Sequence, residues 1–270
     1  MKRVITAILL GMLVVGAVLG LPTAGTAAVL GGFVIIAAWE WSGLIGWTGS
    51  HRKLAYSVLL ALLAYVVWQW NESALLFPYL NIAALISWSF AAILVIVVQR
   101  QRLHRFVGIT TNGVCGLVVL LPAWSGVVWL LENDSAMLLI FFTLIWVTDG
   151  VAFFVGKRWG RRRLASHVSP GKTWEGLIGG LGFGTIYAVA VSSAMALSVA
   201  AQIVFIVTAV AAMIASVIGD LFESMLKRRV GMKDSGRILP GHGGVLDRID
   251  GLVAATPIFV AGLYHGVNRL

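Results

Sequence analysis

The chain has 270 residues, 59% of them apolar and only 11% charged, with a mean hydropathy of +0.94. A water-soluble domain holds about a quarter charged residues, so that class is excluded. The net charge is +9, and the single cysteine, Cys115, rules out a disulfide framework or a cysteine-rich metal site.

Taken in chain order, apolar stretches with few charges fall at about 4–21, 25–47, 54–71, 76–98, 106–131, 136–156, 177–200, 202–226 and 249–267. The runs are continuous, not alternating, so helices are expected and a barrel is not. The predicted fold is therefore all-α: a polytopic transmembrane helix bundle of about nine spans. Lys and Arg give its orientation. With the N-terminus cytoplasmic, 19 of the 20 basic residues fall on the cytoplasmic side, and only Arg269 does not. The opposite loops carry Glu72, Glu132 and Asp134. This is the positive-inside asymmetry. It accounts for the net charge without nucleic acid.

The first run follows Lys2 and Arg3 and ends at PTAGTAA, which mimics a signal peptide, but its length favours a retained helix. Trp39, Trp41, Trp47, Trp68, Trp70, Trp124 and Trp129 are expected to be interfacial anchors. Glu40, a lone carboxyl near the cytoplasmic end of the second run, is expected to snorkel to the interface. Cys115 is expected to be a buried small hydrophobe. Asp149, inside the sixth run, is expected to serve function, because an ionisable group at that depth usually faces a cavity or partner.

After a basic loop, GKRWGRRR, the stretch SPGKTWEG (169–176) resembles the end of a phosphate-binding P-loop. The spacing fails, since the required glycine is Ser166, and no strand is expected to precede it. Thr173 is expected near a helix N-cap, with Lys172 available to a phosphate as a point charge.

The densest polar stretch is 224–250, SMLKRRVGMKDSGRILPGHGGVLDRID. If the preceding helix continues to about Arg228, then Ser216, Asp220, Ser224 and Lys227 share one stripe. Asp247 and Asp250 share a face on the other bank of the loop. Such oxygen ligands suit Mg2+, one or two ions, which takes few carboxylates and completes its shell with water and phosphate. Asp220 and Asp247 are expected to be the principal metal carboxylates, with Asp250 supporting them and Lys227 contacting phosphate. Arg228, Lys233 and Arg248 supply further countercharge. The Gly243-Gly244 turn lets backbone amides approach an anion. His242 ranks below the acids.

The pattern S-x-x-K-R-x4-K-D-x5-P-x-H-G-G-x2-D-R-x-D is filled by Ser224, Lys227, Arg228, Lys233, Asp234, Pro240, His242, Gly243, Gly244, Asp247, Arg248 and Asp250. It resembles the signature of the phosphatidate cytidylyltransferases (CDP-diacylglycerol synthases). The likeness extends to the segment 149–156 and to SPGKTWEG, where Gly171 stands in place of a lysine common in the family. The resemblance implies transfer of the cytidylyl group of CTP to phosphatidic acid, giving CDP-diacylglycerol and pyrophosphate. It implies substrate contacts from Asp149, Ser169, Lys172, Thr173, Glu175, Ser224, Asp234, His242 and the other loop residues. The whole chain, 1–270, then reads as one integral membrane domain: N-terminal helices over 1–131, and a catalytic half over 132–270 with cytoplasmic loops 157–176 and 227–248. Its place is the inner (cytoplasmic) membrane, and its partners are CTP, phosphatidic acid and the bilayer, with a homodimer left open. A CTP-dependent lipid alcohol kinase is the nearer alternative. A cation-coupled transporter fits less well, because nearly all polar residues crowd one face. CDP-alcohol phosphotransferases are excluded, since Phe153 and Phe154 occupy the positions their motif needs.

Overall fold

In a bilayer no water is present to satisfy backbone amides, so each long apolar run must close its own hydrogen bonds as a helix. The computed structural model describes residues 2–70, 76–101, 109–239, 241 and 243–266. Among these are nine helices: α1 (Lys2–Gly20), α2 (Thr23–Leu44), α3 (Ser50–Trp70), α4 (Leu76–Gln101), α5 (Ile109–Asn133), α6 (Ser135–Trp159), α7 (Trp174–Ala194), α8 (Val199–Arg229) and α9 (Leu246–His265). Seven of them, α2 to α8, are long and apolar enough to cross a membrane. α9 begins with Asp247, Arg248 and Asp250, which dilute its hydropathy. The protein is a multi-pass membrane protein.

One departure from an all-helical fold lies between α6 and α7. Strands β1 (Arg163–Ala165) and β2 (Ser169–Thr173) form an antiparallel hairpin. A strand therefore does precede Gly171-Lys172-Thr173, contrary to the sequence-based expectation, and those residues themselves finish β2. The P-loop comparison still fails on glycine spacing.

Lipid tails are as apolar as leucine, so helix association rests on close packing of small residues. On α7, Gly176 and Gly180 face the backbone of α6; a Cβ there would lie 2.6 Å from the Ala152 carbonyl and 2.8 Å from the Thr148 carbonyl. α8 and α9 meet the same way, with Gly219 against the Asp250 carbonyl and Gly251 against the Ser216 hydroxyl. That contact holds Asp220 and Asp250, on successive positions beside the two glycines, close together. Phe141 of α6 stacks on Phe259 of α9 at 4.9 Å, and Phe205 of α8 meets it edge-on at 6.0 Å. Outward residues such as Ile86, Phe90 and Ile186 are exposed, as lipid contact requires.

Two of the tryptophans expected at the interface are core residues. Trp41 packs on Phe222 of α8, and Trp124 donates to the Ala27 carbonyl at 3.3 Å. Helix alternation brings the C-terminal ends of the even helices and the N-terminal ends of α3, α7 and α9 to one end of the bundle. Gln99 of α4 bonds Ser166 and His167 there, and Lys172 of β2 reaches α8. At the other end Phe77, Trp129 and Tyr264 cluster, from α4, α5 and α9.

Candidate active site

The last turns of α8, the first turn of α9 and the loop between them form one bank of polar residues. Asp247 is its centre. Its Oδ1 accepts from Lys227 Nζ at 2.7 Å and from the Ser235 amide at 3.1 Å; its Oδ2 accepts from the Ser235 amide at 2.9 Å and the Gly244 amide at 2.8 Å. Gly243, with φ of +84°, makes the turn that returns the Gly244 amide to this carboxylate. A side chain would strain that conformation. Lys227 also pairs with Glu223 Oε1 at 3.3 Å, one turn back on α8. The Lys227 and Asp247 side chains are 11% and 5% exposed, so this is a buried ion pair, not a surface one.

A second lysine–aspartate pair lies alongside. Lys172 Nζ, from β2, is 2.7 Å from Asp220 Oδ2, and these side chains are 26% and 38% exposed. Ser224 donates to Asp220 Oδ1 at 3.3 Å, so the stripe expected on α8 is formed. The hairpin is held where Lys172 can do this. Thr173 caps α7 through the Gly176 amide at 3.2 Å, and Glu175 accepts from the Arg161 and Arg162 amides. Asp149, exposed on α6, interacts with Lys172 and Asp220; Asp250 interacts with Asp220, Glu223, Lys172 and Lys227.

Glu40 overturns its snorkelling expectation. It is 3% exposed, and its Oε2 accepts from the Leu246 amide at 2.8 Å and the Ser235 hydroxyl at 3.2 Å. It grips the site loop from α2 and does not reach for water.

The chain matches the Cytidylyltransferase family over residues 1–265. It belongs to that family. It is similar to the phosphatidate cytidylyltransferase of Pseudomonas aeruginosa, at 38% identity over 97% of this chain and 96% of the relative. The Haemophilus influenzae protein of the same name is 34% identical over 96% of each chain. The Thermotoga maritima one is 43% identical over 51% of this chain and 53% of its own.

Among the residues expected to line a cytidylyltransferase site, the structure brings together Asp149, Lys172, Asp220, Ser224, Lys227, Asp247 and Asp250. Gly243 and Gly244 shape the turn, with Ser169 partly buried at the start of β2. Arg228, Lys233, Asp234 and Arg248 have exposed side chains around this core. Thr173 and Glu175 are committed to capping and to the hairpin. His242 lies outside the described residues, as do Glu72 and Arg269. Sequence reasoning missed Glu40 and Glu223. Glu223 is spaced i,i+4 from Lys227, a signal that was available. For Glu40 no local signal existed.

Carboxyl groups outnumber ammonium groups in this cluster, where Glu223 meets Lys227 at 3.3 Å and also lies against Asp250. That charge balance fits a bound cation. Among the described residues no three His, Cys, Asp or Glu side chains converge as metal ligands, so the protein side of a cation site is at most two carboxylates, the number Mg2+ commonly uses beside phosphate. Asp220 is half-open and fits that role. Asp247 has both oxygens engaged by protein donors and would have to release one of them.

Proposed function

We propose that this chain transfers the cytidylyl group of CTP to phosphatidic acid. An oxygen of the lipid phosphate attacks the α-phosphorus of CTP, the bond to the β-phosphate oxygen breaks, and pyrophosphate leaves with the electron pair; CDP-diacylglycerol is the product. The nucleophile is already an anion, so the demand is for positioning and charge neutralisation, not proton transfer. The observation that carries this reading is the pair of lysine–aspartate contacts, Lys172–Asp220 and Lys227–Asp247, side by side at one end of a membrane bundle. Lysine serves phosphate as a compact point charge. Lys172 is the more accessible of the two and would exchange Asp220 for a substrate phosphate, while buried Lys227 holds its position on Asp247.

Mg2+, one or two ions, is the proposed cofactor. Asp220 and, on release of a donor, Asp247 would hold it, with Asp250 supporting their placement from α9. It would neutralise the phosphates during transfer. Arg228, Lys233 and Arg248 extend the positive rim, with Ser169 of β2, Ser224 of α8 and Asp234 of the α8–α9 loop beside it, and His242 is a further proposed substrate contact. We further infer nine crossings, with α1 and α9 completing the set, an N-terminus and active site on the cytoplasmic side of the inner membrane, and a homodimer as the assembly to test.

The relatives' shared name favours cytidylyl transfer over a CTP-dependent lipid kinase. The deciding experiment supplies membranes with phosphatidic acid and CTP labelled in the base or at the γ-phosphate. Cytosine label in lipid is the expected result. Label from the γ-phosphate in lipid would overturn the reading.

A further inference from the structure

α9 opens without a side-chain cap of its own: Val245, at the N-cap, makes no side-chain hydrogen bond. Exposed amides at a helix start need an acceptor. Glu40 supplies one from α2, 206 residues away, to the Leu246 amide at 2.8 Å. The same Oε2 takes the Ser235 hydroxyl at 3.2 Å, while the Ser235 amide bonds both oxygens of Asp247. Ser235 is 4% exposed and Glu40 3%. A continuous path thus runs from α2 through Ser235 to Asp247 and on to Lys227 Nζ.

Gly236 and Gly244 lie against the Glu40 carboxyl so closely that a Cβ on either would overlap one of its oxygens. The loop is cut to fit this side chain. Its other oxygen, Oε1, is buried with no hydrogen-bond partner. An unmet buried acceptor costs roughly 1–3 kcal/mol, so Oε1 itself adds nothing to the stability of the bundle. What the carboxyl provides instead is a fixed acceptor for two groups of the site loop.

The geometry points to Glu40 as a positioning residue for cytidylyl transfer. Through Ser235 and the α9 amide it sets where Asp247, and with it the Lys227 ammonium, stand. This rests on the proposed function above, and it assigns to the N-terminal helices a part in a site otherwise built from the C-terminal half.

The test uses the full-length protein in lipid-doped micelles, with Glu40→Ala, Glu40→Gln and Ser235→Ala. Two quantities are read: steady-state incorporation of cytosine label into lipid, and amide hydrogen exchange of peptides covering 233–247, α2 and α8. Glu40→Ala is expected to lower kcat roughly 100-fold, the scale of a misplacement near 1 Å, leave the KM for CTP nearly unchanged, and raise exchange in 233–247 alone. Glu40→Gln keeps an acceptor oxygen and should restore both. Wild-type kcat in Glu40→Ala overturns the proposal, as does a loss that Gln does not rescue or that comes with exchange throughout α2 and α8. Should Glu40→Ala fail to fold, Ser235→Ala decides: a lowered kcat with raised loop exchange supports the path, and wild-type behaviour in both sinks it. If the wild type puts no cytosine label into lipid, the proposed function fails, and loop exchange alone then sustains or overturns the ordering role of Glu40.

Discussion

The two lysines of the site differ in burial, and that difference sets what their removal should do. Lys227 is enclosed between Asp247 and Glu223, so Lys227→Met leaves buried acids without their cation. Breaking a buried pair from one side costs about 3–5 kcal/mol, and a large fall in thermal unfolding temperature in detergent is expected, with activity lost alongside. Lys172 is a quarter exposed, and its partner Asp220 more so. Exposed pairs contribute about 0–1 kcal/mol, so Lys172→Met should leave the unfolding temperature nearly unchanged while lowering turnover at least tenfold. Asp220→Asn should behave like Lys172→Met in stability and lose orders of magnitude in turnover, as removal of a metal or phosphate organiser does. Equal destabilisation by the Lys172 and Lys227 changes would sink the division of labour. For Asp247→Asn the expectation is different from that for Asp220→Asn. Three of its four donor contacts tie the loop to α9 and the fourth holds Lys227 of α8, so stability and activity should fall together.

Among the elements, α7 offers an internal control. Gly180 touches the α6 backbone, whereas a Cβ on Gly182 would meet nothing within 4 Å. Gly180→Val should push α6 and α7 apart and lower the unfolding temperature sharply; Gly182→Ala should hold or raise it, since alanine is better than glycine in a helix by about 1 kcal/mol. Similar effects of the two would mean that α6 and α7 do not pack through this glycine face. The helices were legible in sequence because lipid allows a long apolar run no other form. Their edges were less so: α8 starts at Val199 and not 202, and α7 at Trp174 and not 177, where Thr173 caps it. The stripe of Asp220, Ser224 and Lys227 was legible from helical periodicity alone. The β1–β2 hairpin was not, because its short strands sit in a basic loop without apolar alternation, and its turn is held by Gln99 of a distant helix. Glu40 was misread for the same reason. A local reading gives a lone acid near a helix end only the interface to seek, and its partners stand about 200 residues on.

At the scale of the whole molecule, one end of the bundle gathers the basic residues of the first turn of α3, the C-terminal end of α4, the hairpin and the α8–α9 loop. The other end carries Glu132 and Asp134, with Asp134 capping α6 through the Ala136 and Met137 amides. The positive-inside rule favours the cytoplasm for the first end, the placement proposed above, and this can be tested without any activity. Single cysteines are introduced at Ile238, 51% exposed in the site loop, and at Asn133, at the far end of α5. Ile238 is a better reporter than neighbouring Ser235, which is buried and bonded to both Glu40 and Asp247. The native Cys115 is replaced by serine to remove background. In intact cells an impermeant thiol reagent should label the cysteine at 133 and not that at 238; after lysis both should react. Labelling of 238 in intact cells would put the site on the outer face, away from CTP, and the proposed reaction would lose its nucleotide supply. Labelling of both in intact cells would break the alternation of the helices themselves. The lysine pairs, the hairpin and the Glu40 grip all sit at the end that carries 238, so this one comparison places the entire site.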